Sequence, residues 1–554
     1  MFSYALSFAP RTVASALGYG PTDEGDGNGN ENTLDRNNLT YTSLTNRALA
    51  LPEILYSIGR HLDGPTQKRC LLVSRSWYNV FLALLWECVQ VNDIVFCSHI
   101  MLRRLESHVH LIKRVFINHG SADLTGSTIT LITIQRVLSL SGMERLQSLD
   151  ISPDSVLPWP FLQPHLTQLS GLRTLKLGNV LDAKGSFRIM DILKICPRLV
   201  CLHFGGSQQN TRAASSEPSA LPNPGNLVEG IDSQDSQEIF PLEHLQLSGL
   251  LWQSNDIIDL IRRCPELTQL SLVGLPKTDW DWTPETTEQL TQYCPKITSF
   301  HINPRYGSAV SAEVLTRLLE RLPKLVSFKA PRCEFNQDTF EALRRHVLTL
   351  QELDLSFTRK PGLTSPMLME LMAQAIHLRY LDSSGTMLNL HLLNDEPKVG
   401  KMRMLKRSET MESTHETESR SDQTSTTPWG CDNLEVLKFG FQAAHPGSRG
   451  VYQLCDYIGQ LTRLQELHIL PSYFPVQLEE GLIKLETLKN LRVFSVHPAN
   501  KPIQEEVVKW IGTTWPKLKT LRICSHDEEA DEPLNISKWL RQVCREDIEL
   551  LGCE

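Results

Sequence analysis

The chain has 554 residues, of which 41% are hydrophobic and 21% are charged, a balance typical of globular proteins. Its formal net charge is −8 and it contains no long basic stripe, so the sequence offers no electrostatic basis for binding nucleic acid. No apolar run reaches the roughly 18–20 residues of a membrane span, and the first residues make a poor secretory signal.

The 13 cysteines are scattered at wide spacing and include no Cys-x-x-Cys motif. The pattern therefore indicates neither a zinc ribbon nor a redox-active dithiol. Buried free thiols in a reducing compartment explain it better, so we expect the protein in the cytoplasm, in the nucleus or in both.

A polar leader precedes the first segment that is expected to fold. Residues 1–45 are rich in glycine, asparagine and acidic residues and hold too few apolar residues for a core, which predicts disorder. Residues 47–92 predict a compact helical unit. The aliphatic residues on one face of its first helix are Ile54, Leu55, Ile58 and Leu62. Short helices cannot bury all of their apolar surface among themselves, so part is left for a partner or for the chain that follows.

A different pattern governs the sequence from about residue 110 to the end. The motif Leu-x-x-Leu-x-Leu, or a variant with other apolar residues, recurs at steps of roughly 25 to 30 residues, the period of leucine-rich repeats. Intervening segments with helical spacing reach a proline just before the next strand, as in "CPRL", "CPEL", "CPKI", "LPKL" and "WPKL". Residues 110–554 therefore predict an α/β leucine-rich-repeat solenoid, a horseshoe with parallel strands on its concave face and helices outside.

Two steps between repeats are too long for this period. Residues 205–238 and 395–430 fill them with polar sequence rich in serine and threonine, which predicts disordered insertions. The second insertion contains the basic run "KVGKMRMLKR" before an acidic tract. A nuclear signal or a phosphorylation switch is one hypothesis for this run, and an unregulated solvated loop is the other.

The sequence contains no recognisable catalytic motif. It has no His-Glu-x-x-His, no Gly-x-x-x-x-Gly-Lys-[Ser/Thr] and no Gly-x-Ser-x-Gly. An enzyme built on the repeats would need His, Asp and Ser side chains that converge on one face. We therefore predict no catalytic residue, no metal site and no cofactor.

The predicted sheet offers a binding surface instead. In Leu-x-x-Leu-x-Leu the leucines point inward and the intervening residues point outward, so outward residues of adjacent repeats lie together. Four of them predict an acidic patch around one aromatic residue, with a lysine in the repeat on each side. The residues are Glu352, Asp354, Tyr380, Asp382, Lys329 and Lys438. We expect this patch to bind a protein substrate, with a preference for a basic one, and the alternative is an ordinary solvated face.

The helical unit and the repeats together resemble the F-box proteins of the leucine-rich-repeat class. The F-box pattern begins with Leu-Pro, continues with spaced aliphatic residues, and ends with a Val-Ser-Arg-x-Trp element and a later tryptophan. The residues that match it are Leu51, Pro52, Ile54, Leu55, Ile58, Leu62, Leu72, Val73, Ser74, Arg75, Trp77, Leu85 and Trp86. The resemblance covers about 45 residues and implies a three-helix F-box in front of the repeat domain.

The resemblance also implies a function. The matched residues would dock the chain on a Skp-type adaptor, and through it on a cullin scaffold, while the repeats would hold a protein substrate for ubiquitination. The chain would be a non-catalytic subunit of a cullin-RING ubiquitin ligase that acts by proximity, without nucleic-acid or membrane partners.

A second interpretation remains open for the helical unit. The chain could be a leucine-rich-repeat scaffold for protein interactions whose N-terminal helices only cap the solenoid. Exposure separates the two interpretations. Solvent-accessible Leu51, Pro52, Ile54 and Trp77 would favour docking, whereas burial of these side chains would favour capping.

Overall fold

The computed structural model describes most of the chain from Leu51 onward. The predicted leader lies outside the described residues, as do nearly all residues of the two predicted insertions. The described residues are 51–92, 99–118, 132, 134–152, 156–181, 189–205, 238–249, 254–275, 282–304, 310–359, 362–390, 429–442, 449–474, 476–479, 481–498, 503–523, 539 and 547–551. Within them, no helix has both the length and the apolar character to cross a membrane.

The chain divides into two compact units, the first formed by residues 1–233 and 240–242 and the second by residues 234–239 and 243–554. Three helices open the described part of the first unit. They are α1 (Pro52–Gly59), α2 (Gly64–Cys70) and α3 (Arg75–Glu87). A buried cluster holds them together, and it consists of Leu55, Cys70 and Phe81.

Polar side chains fix the starts of two of these helices. The Asp63 carboxylate accepts a hydrogen bond from the Thr66 amide at 3.0 Å, and the Ser74 hydroxyl accepts one from the Trp77 amide at 3.3 Å. Each bond satisfies an amide that has no partner within its own helix. Pro52 opens α1 at a position where its missing N–H costs nothing.

A parallel sheet follows in the same unit. Its strands are β1 (Cys88–Asn92), β2 (Arg114–Asn118), β3 (Ser148–Ile151), β4 (Val156–Pro158), β5 (Thr174–Leu181) and β6 (Cys201–Gly205). The order is β1-β2-β3-β5-β6, and β4 pairs with the later part of β5. The accompanying helices are α4 (His99–His108), α5 (Trp159–Gln168) and α6 (Ile189–Ile195), with 3-10 turns at Val109–Leu111 and Met143–Arg145.

The second unit repeats one step along the chain, a short strand followed by a return segment. Its strands are β7 (His244–Ser248), β8 (Gln269–Leu275), β9 (Ser299–Pro304), β10 (Ser327–Lys329), β11 (Glu352–Asp354), β12 (Tyr380–Asn389), β13 (Val436–Gln442), β14 (Glu466–Phe474), β15 (Val493–Pro498), β16 (Thr520–Ile523) and β17 (Glu549–Leu551). Each strand is parallel to the next one in sequence and is paired with it.

Most return segments of the second unit contain a helix. The helices are α7 (Ser254–Arg262), α8 (Pro284–Tyr293), α9 (Ala312–Arg321), α10 (Gln337–Arg344), α11 (Ser365–Gln374), α12 (Arg449–Gly459) and α13 (Glu505–Thr514), with a 3-10 helix at Leu482–Thr487. The strands alternate as the leucine motif predicts: in β7, Leu245 and Leu247 are buried while their neighbours are half-exposed. The prediction of an α/β fold with parallel strands is therefore confirmed.

Two buried cysteines of the second unit, Cys264 and Cys294, follow the return helices α7 and α8. The Cys294 thiol donates to the Ile261 carbonyl oxygen at 3.4 Å, and burial raises the pKa of this thiol to about 12. Burial likewise raises the pKa of Cys264 to about 12. Such thiols stay protonated at neutral pH and act as small apolar side chains.

Candidate functional site

The three N-terminal helices leave a set of large apolar side chains in solvent. Leu51 is 49% exposed and Ile54 is 37% exposed at the start of α1. Leu72 is 84% exposed and Val73 is 60% exposed in the turn before α3. Exposed aliphatic side chains in two neighbouring turns are the kind of surface that a protein partner covers.

Helices α1 and α3 begin at the same end of this unit. Their first halves line one open groove, in which Pro52 and Glu53 lie opposite Ser76 and Asn79. Toward the other end, Gly59 of α1 packs against Leu84 and Phe81 of α3. The exposed turns that contain Leu51 and Leu72 therefore lie at the same end.

The remaining F-box-like positions divide by burial. Pro52, Ser74 and Arg75 are exposed, while Ile58, Leu62, Trp77 and Trp86 are half-buried. Leu55 differs from the others because it is fully buried in the core, so its role is to hold the helices together. The Trp77 ring stacks on Phe81 with centroids 5.4 Å apart, which orients the tryptophan from the core side.

The helical unit is continuous with, and contacts, the segments that follow it in the chain. Strand β1 follows α3 directly, although the sequence placed residues 88–92 in the helical unit. The Tyr56 hydroxyl donates to the Glu87 carboxylate at 2.7 Å, and this bond is the main reason that the pKa of Tyr56 is raised. Trp86 stacks on His108 with centroids 4.5 Å apart. Helix α3 thus contacts helix α4 through Trp86, and its last residue, Glu87, lies 3.9 Å from Arg114 at the start of β2.

The second candidate surface is the charged patch predicted on the outward face of the second unit. Strand register places Lys329, Asp354, Asp382 and Lys438 side by side across β10 to β13. Glu352 and Tyr380 are also paired in register, on β11 and β12. The structure therefore brings together all six residues that the sequence assigned to the patch.

Each lysine of the patch has a carboxylate partner. Lys329 Nζ lies 2.8 Å from Glu352 Oε2, which also accepts a hydrogen bond from the Ser327 hydroxyl at 3.0 Å. Partial burial acts to raise the pKa of Glu352, but these two contacts outweigh it and the pKa is lowered. Lys438 Nζ lies 3.6 Å from Asp382 Oδ2.

Tyr380 is the centre of the patch. Its ring is approached by Lys329 Nζ at 5.3 Å and by Lys438 Nζ at 5.4 Å, both within the range of a cation–π contact. Its hydroxyl donates to Asp382 Oδ2 at 3.3 Å. Burial and the nearby carboxylates raise the pKa of Tyr380, so it remains a neutral donor at physiological pH.

Asp354 is the exception among these carboxylates. Its Oδ1 accepts the Ser356 amide at 2.9 Å, but among the described residues no cationic side chain forms an ion pair with it. Burial raises the pKa of Asp354, and the charge of Asp382 adds to the rise. The patch therefore contains three carboxylates and two ammonium groups, and Asp354 is the carboxylate without an ion pair among the described residues.

Two histidines extend the row of outward residues on either side. Lys329 is in register with His301 on β9, and Lys438 with His468 on β14. His301 Nδ1 lies 3.0 Å from the Ser271 hydroxyl, and burial together with the charge of Lys329 lowers the pKa of His301 to about 4. Burial and Lys438 also lower the pKa of His468, against the opposing effect of Glu466. Both imidazoles are therefore neutral at physiological pH.

No protein-family model matches this chain, and no curated protein matches it. The functional interpretation therefore depends on the residues and contacts of the chain itself.

Proposed function

We propose that this chain is the substrate-recognition subunit of a cullin-RING ubiquitin ligase of the SCF type. Its three N-terminal helices would act as an F-box that docks on a Skp-type adaptor, and its strand–helix repeats would form a leucine-rich-repeat domain that binds a protein substrate. The observation that carries the proposal is the exposure of Leu51, Ile54, Leu72 and Val73 at one end of the helical unit.

The exposed residues coincide with the F-box pattern. A helical unit that served only as a cap would be expected to bury its large aliphatic residues against the sheet, yet Leu72 and Val73 are mostly in solvent. Pro52, next to Leu51, is exposed as well, whereas Trp77 is half-buried. The surface that a partner would cover is thus separate from the core formed around Leu55.

In this proposal the chain contributes no chemistry of ubiquitin transfer. It would hold the substrate close to a conjugating enzyme carried by other subunits, which raises the effective concentration of the substrate lysines. The expected compartment is the cytoplasm or the nucleus, where such ligases act on their substrates.

Adaptor binding tests the proposal directly. We expect the purified full-length chain to bind a purified Skp-type adaptor, and Leu51→Ala and Leu72→Ala each to weaken the affinity about tenfold because each removes an exposed anchor. Isothermal titration calorimetry would measure the dissociation constants. Both side chains are exposed, so neither change should alter the thermal unfolding midpoint.

The matched control is Ile483→Ala, which truncates a side chain that is 46% exposed in the second unit. It should leave adaptor affinity unchanged. Absence of binding by the wild-type chain, or equal affinity of the wild type and both variants, would contradict the F-box assignment.

A capping scaffold is the second candidate, and one observation favours it. Helix α3 runs into strand β1 without a linker, and the Tyr56–Glu87 hydrogen bond ties α1 to the same junction. In that case the helices would cover the first strand of the sheet, and the protein would assemble partners through its repeats alone. The calorimetric experiment separates the candidates because a cap has no affinity for the adaptor.

A further inference from the structure

A left-handed residue lies at one equivalent position in five repeats of the second unit. It is the fifth residue after the strand start, as in His244 to Gly249. After β7 and within β8 and β12 this residue is glycine, with φ of 70°, 70° and 91° at Gly249, Gly274 and Gly385. Glycine is the residue that adopts this conformation without steric cost.

Two of these five left-handed residues, in neighbouring repeats, are not glycine. The same position holds Arg332 after β10 and Phe357 after β11, with φ of 62° and 54°. The backbone shows that the position is equivalent, because the Arg332 and Phe357 amides donate to the carbonyls of Ser356 and Ser384, each just before the next left-handed residue. Gly249 makes the same bond to Val273.

A side chain in this conformation is disfavoured because its Cβ crowds the neighbouring carbonyl. It persists where the surroundings hold it or where a function uses it. Arg332 is half-buried and interacts with neighbouring groups, and these interactions explain why it keeps the left-handed conformation. Phe357 is 57% exposed, and no ring or polar side-chain partner holds it among the described residues.

The next repeat provides an internal comparison. Asp354 accepts the Ser356 amide, and Asp382 accepts the Ser384 amide at 3.0 Å in the same way. The second of these turns ends in Gly385, and its aspartate is paired with Lys438. The first ends in an exposed Phe357, and its aspartate has no ion pair among the described residues.

The two differences make this turn suited to a ligand. Gly385 lies directly under Phe357, and a Cβ there would lie 3.1 Å from Phe357 Cδ1, so one edge of the ring is supported and the rest faces solvent. Met387, two residues further on, is 41% exposed. The nearby Lys329 and Lys438 form their ion pairs with Glu352 and Asp382, so the Asp354 carboxylate has no ion-pair partner among the described residues, although the charge of Lys329 acts on it.

We propose that Phe357 and Asp354 form a docking site for a peptide segment in which an apolar side chain lies one or two residues from an arginine or lysine. The apolar group would pack on the exposed ring of Phe357, and the cation would pair with the Asp354 carboxylate. That the segment belongs to a ubiquitination substrate rests on the proposed function.

Pools of octapeptides with degenerate flanks test the site on the full-length chain. The first pool fixes Phe followed by Arg at the next or next-but-one position, the second replaces Arg by Asp, and the third replaces Phe by Ser. We expect the wild-type chain to capture the first pool about ten times better than either of the others. Fluorescence of labelled peptides on the immobilised chain measures the capture.

Variants assign the preference to the two residues. Phe357→Gly should abolish the preference for Phe while leaving the unfolding midpoint unchanged or higher, because glycine relieves the left-handed conformation. Asp354→Asn should abolish the preference for Arg, since it keeps an acceptor for the Ser356 amide but loses the charge. Phe357→Tyr should preserve capture, and Leu348→Ala, at a side chain 63% exposed elsewhere in the unit, should have no effect.

Equal capture of the three pools by the wild type, or unchanged selectivity in Phe357→Gly, would overturn this inference. A marked fall in the unfolding midpoint of Phe357→Gly would also overturn it, because the ring would then be a structural element. The adaptor titration is independent of these outcomes. Peptide selectivity without adaptor binding would refute only the F-box assignment, and adaptor binding without selectivity would refute only the docking site.

Discussion

Asp382→Ala is expected to lower the free energy of unfolding by about 3 kcal/mol. Asp382 is only 8% exposed, and its carboxylate accepts the Ser384 amide and the Tyr380 hydroxyl while it faces Lys438. Truncation removes the partner of all three donors at once. The expected loss is at the lower end for a broken buried ion pair because the Lys438 side chain is 29% exposed and can be partly hydrated.

Urea unfolding followed by circular dichroism would measure this loss, with two variants for comparison. Asp382→Asn keeps an oxygen acceptor for the Ser384 amide and should cost less, about 1 kcal/mol. Glu352→Ala breaks an ion pair whose carboxylate is 46% exposed and should cost below about 1 kcal/mol. Equal stability of Asp382→Ala and Glu352→Ala would show that the patch has no buried centre.

The strand positions of this protein could be predicted from sequence because the leucine motif fixes which side chains are buried. In β7 and β9, a buried apolar side chain on every second residue enforces one register, since a shift by one residue would expose the whole set. The same alternation predicts from the sequence alone that Glu352, Asp354, Tyr380 and Asp382 lie on one face of the sheet. The sequence pattern alone is sufficient to predict strand positions where buried residues recur at a fixed period.

Strand β1 shows where this reasoning failed. Cys88–Asn92 carries alternating apolar residues, with Val89 and Val91 buried, but it lacks the leucine motif and directly continues an apolar helix. Helical and strand periodicity are hard to separate in such short apolar runs. Only pairing with β2, which lies more than twenty residues further along the chain, turns this segment into a strand.

The ion pairs that balance the charges of the patch also could not be predicted from the sequence. The sequence identified three carboxylates around Tyr380, but the partner of each lysine follows from side-chain directions and distances that no spacing rule supplies. Phe357 carried no such signal, because the fifth position after the strand start holds glycine in β12, arginine after β10 and a second phenylalanine, Phe441, in β13. The left-handed conformation of Phe357 could therefore be recognised only from the backbone angles of the structure.

Acidification from pH 7 to pH 5 is expected to destabilise the protein through His301 by about 2 kcal/mol. The pKa of His301 is about 4 in the folded chain and 6.5 for an unperturbed imidazole, so the unfolded state binds the proton first. The stability that His301 contributes is therefore complete above pH 6.5 and is lost as the pH falls toward 4. Burial is the main cause, and the ammonium group of Lys329 adds to it.

His301→Asn isolates this effect because asparagine does not titrate and can still bond to the Ser271 hydroxyl. Between pH 7 and pH 5 the wild type should lose about 2 kcal/mol more of its unfolding free energy than this variant. Subtracting the loss of unfolding free energy of the variant from that of the wild type removes the contributions of other histidines. His346 and His468 are two of these, and burial lowers their pKa values as well. His377→Asn, at an exposed site, should follow the wild type. Parallel pH profiles of wild type and His301→Asn would mean that the imidazole is already hydrated, and the outward row would then be open to solvent at β9.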